Sequence, residues 1–456
     1  MENQMNAPNK MGVMPVGRLL FSIALPLVVS MLIQACYNIV DSIFVARVSE
    51  NALTAVSLAF PAQMLMISVA VGTGVGVNSL ISRRLGEKRF EEANAGATNA
   101  LFIMAVSALV FTLAGLCFAR PFFRFFTGDA EIRAMGGDYL FICMTYCIGI
   151  FMQIACERIV QATGNAIYPM LMQLAGAVVN IILDPILIFG YMGFPALGVK
   201  GAAIATVAGQ WVAMLLSFYL VFFKKHDVKP GFKNFRPDKR AIRDIYAVGA
   251  PSIVMQSIGT VMILGLNKIL IAFTPTAVSV LGVYFKLNSF IFMPVFALSG
   301  AGISILGYNY GAKNRARMEK AFRLQLLVSA IAMLVGLLLF QLFPRQMLLL
   351  FNASDDMLLI GVNALRVICL SFPGAAVGIS FSTLYQAVGK GAYSLLTSLV
   401  RQLFVILPAA YLLARFLGLD AVWWAFPIAE IAGLTMGFLL YRLIRKRLII
   451  PLDART

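Results

Sequence analysis

Apolar residues fill long runs near 19–46, 53–81, 95–119, 135–157, 168–190 and 198–223. A second set lies near 244–273, 276–306, 322–343, 357–387, 393–415 and 419–441. Each run is long enough for a membrane helix, which needs roughly 20 predominantly apolar residues. None alternates with the two-residue period of a half-buried strand, which argues against a barrel. The pattern predicts an all-α integral membrane protein of twelve transmembrane helices. The longest polar interruption is KKHDVKPGFKNFRPDKRAIRD (224–244), which leaves six spans on either side. The expected layout is an N-terminal segment (1–18), an N-lobe (19–223), a linker (224–243), a C-lobe (244–441) and a basic tail (442–456).

Composition agrees: 60% of the 456 residues are apolar and 12% charged, against 45–50% and about 25% in soluble domains. The formal charge of +17 raises the question of nucleic acid, and its distribution answers it. With both termini placed in the cytoplasm, 26 Lys and Arg residues fall on the inner side and 7 on the outer. Such a bias is the positive-inside signal of a multi-pass protein of the plasma or inner membrane. Anionic membrane lipid, with no nucleic acid, is then the expected partner of the basic surface. The six cysteines fall in apolar stretches without metal-type spacing and read as packing residues. The N-terminal residues carry no cleavable signal pattern, and the first apolar run reads as a span.

The numbering holds an internal repeat. An offset of 225 pairs Pro26 with Pro251, Gly86 with Gly311, Gln161 with Gln386, Gly164 with Gly389 and Tyr168 with Tyr393. Six spans per copy, an even number, keep both copies in the same orientation. The two six-helix repeats should therefore be related by a pseudo-two-fold axis along the membrane normal, a plan used by some secondary transporters.

Ionisable residues inside apolar runs carry the chemistry, because each costs roughly 2.5–3.5 kcal/mol at mid-bilayer. Asp41 lies in QACYNIVDSIFV and Asp184 in AVVNIILDPILIFG. Gln34, Tyr37, Asn38 and Asp41 share one helical face, as do Asn180 and Asp184, which predicts a shared polar pocket with Gln34, Tyr37 and Asn38 as candidates for substrate binding. Carboxylate, amide and hydroxyl oxygens together suit a proton relay or a small-cation site. Pro26 and Pro185 each remove a backbone hydrogen bond and mark candidate hinges. Among 23 methionines, Met64 and Met172 are candidates for an adaptable substrate cavity. The glycine-rich VGTGVGVNS (71–79) reads as close helix packing. With no GxxxxGK[ST] motif, no nucleotide-hydrolysing enzyme is expected. The sole histidine, His226, reads as a solvated loop residue. Arg401 and Glu430 on the last two spans can pair, and Glu157 beside Arg158 reads as a snorkelling or loop pair. Lys268, Lys286 and Arg366 are the other charges within spans.

These features together resemble the multidrug and toxic compound extrusion family over about residues 15–445. The resemblance rests on the duplicated six-span plan, on Pro26 and Asp41 in span 1, and on RRLGEKR, QATGN, NIILDPILI and LGVKGAAIATV in order. The chain is more similar to the DinF-like and MepA-like branches than to the NorM-like one, since spans 7 and 10 carry Lys268 and Arg366 but no carboxylate. The resemblance implies a V-shaped pair of lobes and a secondary antiporter, not an enzyme. It would need no cofactor and would export cationic or amphipathic compounds in exchange for H+ or Na+, probing one side at a time, as a monomer. It further implies a cation site, able to take Na+, on Asp41, Asn180 and Asp184, with Thr206 as the hydroxyl of span 6. A lipid-linked saccharide flippase of the same superfamily is the alternative, and it would use the basic residues Lys268, Lys286, Arg366 and Arg401.

Overall fold

The computed structural model describes residues 9–455 except 225 and 234. Among the described residues, eleven helices are long and apolar enough to cross a membrane, and a bent pair supplies a twelfth span. They are α1 Val16–Ala46, α2 Glu50–Gly86, α3 Phe90–Phe126, α4 Ala130–Thr145 with Ile148–Ala162, α5 Ile167–Phe189 and α6 Val199–Phe223. The second set is α7 Lys239–Leu270, α8 Pro275–Gly311, α9 Arg315–Leu342, α10 Asp355–Ala387, α11 Gly391–Leu417 and α12 Leu419–Leu452. The described residues contain no strand. The helices overrun the apolar runs by a few residues, because capping side chains such as Ser49 on α2 and Asp129 on α4 extend them into polar sequence.

The repeat survives in the backbone. Lys88 and Lys313, 225 residues apart, hold φ values of 59° and 56°, and Gly164 and Gly389 hold 86° and 80°. Left-handed backbone at matched loop positions is costly for lysine and easy for glycine. Its recurrence shows that the two copies build the same turns.

The chain forms two compact units whose borders avoid the linker. One unit comprises Leu25–Gly249, the other Lys10–Ala24 with Ala250–Thr456. The borders fall just before Pro26 and Pro251. The first half of α1 therefore belongs with the C-terminal helices, and the first half of α7 with the N-terminal ones. In the first unit, the glycine-rich part of α2 receives α7 so closely that a Cβ on Gly76 would stand 2.1 Å from the Ile245 carbonyl oxygen. Arg84 then bonds Asp244 of α7 at 3.1 Å and is itself held by Glu92 at 3.2 Å. In the second unit, Asn309 donates to the Met11 carbonyl at 3.3 Å, and Arg317 donates to the carbonyls of Met11 and Met14. Positions 309 and 317 are the repeat equivalents of 84 and 92. The same two positions of each copy hold the incoming half-helix.

The structure adds detail to two segments and changes one expectation, that for His226. The linker is bound along α3: the Lys229 amide donates to Asn94 at 2.7 Å, Gly231 to Thr98 at 3.1 Å and Asp238 to Asn99 at 2.9 Å. Its end is already helical from Lys239. His226 is half-buried, meets the Leu220 carbonyl at 2.6 Å and packs edge-on against Tyr168, so it is no solvated loop residue. The basic tail continues in helical conformation to Arg455, and Arg445 within it pairs with Glu319 at 3.7 Å. Residues 1–8 of the N-terminal segment lie outside the described residues.

Candidate cation and substrate site

All four sequence-selected cation-site residues lie in the first unit, carried by α1, α5 and α6. Asn180 and Asp184 occupy one face of α5 and are buried, Asp184 completely. The Asn180 amide donates to Asp184 Oδ1 and to Thr206 Oγ1, each at 3.4 Å. The Asp41 and Asp184 carboxyls act on each other directly. Two carboxylates about 4 Å apart repel by about 4 kcal/mol at an effective dielectric constant of 20. A hydrogen bond between two carboxyls also requires a proton on one of them. A pair of this kind can take up one proton, or one cation, between its oxygens. Asp41 Oδ1, Asp184 Oδ2 and Asn180 Oδ1 are buried without a hydrogen-bond partner. Three acceptor oxygens with no donor are unfavourable alone and become favourable around a positive charge. No group of three or more His, Cys, Asp or Glu side chains suited to a metal ion occurs among the described residues. Any sodium bound here would rely on amide and hydroxyl oxygens as well, which suits a hard cation.

A second ring supports Asp41. Tyr139 and Cys143 of α4 and Tyr37 of α1 lie within the electrostatic reach of Asp41, and Gln63 of α2 lies beside Tyr139 and Cys143. Gln63 and Tyr139 escaped the sequence reading. An amide or phenol inside an apolar run has no periodic partner to flag it, and Cys143 reads as ordinary packing.

The substrate candidates divide. Gln34 and Asn38 are exposed, while Tyr37 and Met64 are half-buried, so these four are open to a ligand to differing degrees. Met172 is fully buried and is a packing residue, because its face of α5 turns into the unit. Pro26 and Pro185 both lie inside continuous helices.

The second unit has no counterpart of this site. The offset of 225 carries Asp41 to Leu266, Asn180 to Val405 and Asp184 to Ala409. Leu266 is buried in an apolar core cluster, and Val405 and Ala409, half-buried, pack against it. Arg401 rises from a π-helical turn, Val400–Ile406, to pair with Glu430 at 3.1 Å, as expected. Lys268, Lys286 and Arg366 are exposed.

Comparison with known proteins fits this geometry. The MepA multidrug export protein of Staphylococcus aureus (strain MSSA476) is 25% identical over 437 residues, 95% of each chain. A FAD transporter of Shewanella oneidensis is 25% identical over 442 residues, 97% of each chain. A solved outward-facing multidrug resistance MATE transporter of the MOP superfamily superposes with a TM-score of 0.90 at 26% identity, over 98% of both chains. A MOP superfamily transporter from Pyrococcus furiosus, described as having a binding pocket of reverse polarity, gives the same TM-score and identity over 97% of this chain and 98% of its own. The MatE family model matches twice, over residues 26–186 and 251–412, its two starts separated by the repeat offset. A duplicated bundle of membrane helices, matched by that model in each copy, makes the chain a membrane transporter of the MatE family.

Proposed function

We propose that the chain is a secondary antiporter that exports cationic or amphipathic compounds by alternating access, driven by H+ or Na+ moving inward. The observation that carries this reading is the paired carboxyls of Asp41 and Asp184, set among unpartnered oxygens inside a fully helical unit. A site of that kind changes its charge by one when it takes up a proton or cation, and so changes what it costs to keep it dry. MepA relatives that export drugs support the substrate class. The charge bias supports a plasma-membrane protein with both termini in the cytoplasm, and the candidate site on one chain supports a monomer. No cofactor is required.

The second reading, transport of a lipid-linked saccharide or another anionic compound, is favoured by exposed Lys268, Lys286 and Arg366 and by the FAD-transporter relative. Arg401 does not contribute to it, since Glu430 neutralises its charge. Ethidium uptake into inverted vesicles, under an imposed H+ or Na+ gradient in turn, separates the readings. Uptake driven by one of the two ions is expected. Absence of ethidium uptake under both gradients, with a flavin nucleotide transported instead, overturns the first reading.

A further inference from the structure

Seven residues below Asn180 on α5, and on the same helical face, lies Gln173. Its side-chain oxygen accepts from Gln153 of α4 at 3.0 Å, and Gln153 also donates to Glu157 Oε1 at 2.9 Å. Glu157 is not paired with its neighbour. The Arg158 guanidinium instead donates to Gln161 at 2.8 Å, and among the described residues no basic side chain lies within ion-pair distance of Glu157. The expected Glu157–Arg158 pair is therefore corrected. Gly149, Gln153 and Glu157 repeat every four residues and form one face of α4. A Cβ on Gly149 would stand 2.9 Å from the Trp211 ring and 3.1 Å from the Gln210 carbonyl carbon, so this face meets the α6 backbone at Gln210 and Trp211. Gln210 lies one turn beyond Thr206, and its Oε1 is buried without a partner. At the same level α5 and α6 touch through glycine, where a Cβ on Gly209 would stand 2.6 Å from the Gly176 carbonyl oxygen.

These polar groups mark out a line in two hydrogen-bonded sets, Asp184, Asn180 and Thr206 at one end and Gln173, Gln153 and Glu157 at the other, with Gln210 of α6 at the level between them. Asp41 and Asp184 stand at one end, followed by Asn180 with Thr206, then Gln210, then Gln173 with Gln153, and Glu157 at the other end. Along α5 the line covers eleven residues, about 16 Å of helix. Glu157 lies five residues before the end of α4, beside the 163–166 loop. On the topology proposed above, that loop is cytoplasmic, so the line leads from the paired carboxyls toward the cytoplasm. Four amides and a carboxylate set inside a helix bundle without a structural ion pair, Asn180 and Gln153 buried and Gln173, Gln210 and Glu157 half-buried, are an expensive way to pack helices. They are an ordinary way to pass a cation, because amide oxygens and interposed water accept positive charge at each step.

We propose that this line is the inward exit of the coupling cation and that Glu157 is its cytoplasmic-side acceptor. The proposal rests on the ion-coupled reading given above. A proton or sodium ion released from the Asp41–Asp184 pair reaches the Glu157 carboxylate, which passes it to the cytoplasm and returns to its anionic form. The charges facing Glu157 are few: Arg158 of its own helix acts on it, and its neighbours Gln153 and Gln173 are uncharged.

The test uses full-length protein in inverted vesicles, where the bath is the cytoplasmic side. Ethidium uptake is measured across bath pH at a fixed pH difference, and separately across bath Na+ at a fixed Na+ ratio. In the wild type, uptake driven by the coupling ion varies with its bath concentration. Glu157→Gln should flatten that dependence and slow uptake by at least about tenfold, as loss of a positioned proton-transfer group does. Glu157→Asp should restore it, and ethidium binding to the purified variants should stay within about twofold of wild type, since Glu157 is remote from Gln34 and Asn38. Gln210→Leu, which interrupts the line without touching either carboxylate end, should slow uptake in the same way, and it carries the test if Glu157→Gln does not fold. Wild-type bath dependence in Glu157→Gln or in Gln210→Leu overturns the proposal alone. Loss of ion dependence in the wild type itself overturns the antiport reading with it.

Discussion

At the scale of single residues, the candidate site depends on two carboxyls close enough to share one positive charge. Replacing either with an amide keeps the shape and removes the charge that attracts a cation. Asp41→Asn and Asp184→Asn should each abolish gradient-driven ethidium efflux, while Glu430→Gln, whose carboxylate already answers Arg401 at 3.1 Å, should leave most of it. Retention of wild-type coupling in both aspartate variants, or its loss in Glu430→Gln alone, would show that the ion is sensed elsewhere. Asp41 and Asp184 were legible in the sequence because a charge in an apolar run is conspicuous, and Asn180 because it shares the face of Asp184. Gln63, Tyr139 and Gln210 were not, since which amide of an apolar helix meets which carboxyl depends on helix rotation, and single polar residues do not encode it. Met172 misled for the converse reason: a methionine looks the same whether it lines a cavity or fills the core.

Among elements, the contact of α2 with the first half of α7 is a tight seam of the first unit. The glycine-rich stretch signalled close packing, though not which helix it receives. Gly76 has no room for even a methyl group, as the Ile245 carbonyl would stand 2.1 Å from it. Backbone cannot move aside as a flexible side chain can, so Gly76→Ala should destabilise the protein by about 1–3 kcal/mol, the usual cost of overpacking. Gly282, in α8, has no atom within 4 Å of its would-be Cβ. Gly282→Ala should leave the protein as stable or raise its stability by about 0.5–1 kcal/mol, because alanine is the better helix former. Thermal unfolding in detergent followed by tryptophan fluorescence checks both signs, and a Gly76→Ala protein melting at or above the wild-type temperature would refute the seam.

At the scale of the whole molecule, the twelve spans and their duplication were read from periodicity and a constant offset, because lipid demands long apolar helices and leaves little else to choose. Orientation follows from charge and is open to direct measurement. Phe235 packs against Phe102 at 5.5 Å between ring centroids and is a poor labelling site, whereas Arg236 beside it is exposed. A cysteine introduced by Arg236→Cys, after the six native cysteines are replaced by serine or alanine, should react with an impermeant maleimide only once the membrane is opened. Reaction in intact cells would invert the topology.

The unit borders at Pro26 and Pro251 bear on how such a chain arose. Neither tandem copy is self-sufficient, since each unit is completed by a segment encoded in the other half. A solitary ancestor with one copy would have carried a leading half-helix with no home in its own bundle, and an empty groove between positions 76 and 84. Two such ancestors satisfy each other by trading those segments, the arrangement of a domain-swapped homodimer. Fusion of the genes would then have fixed one partner to the other without inventing a new interface. Only after that linkage was one copy free to lose, or the other to acquire, the carboxylates, because a homodimer must carry its ion site twice or not at all.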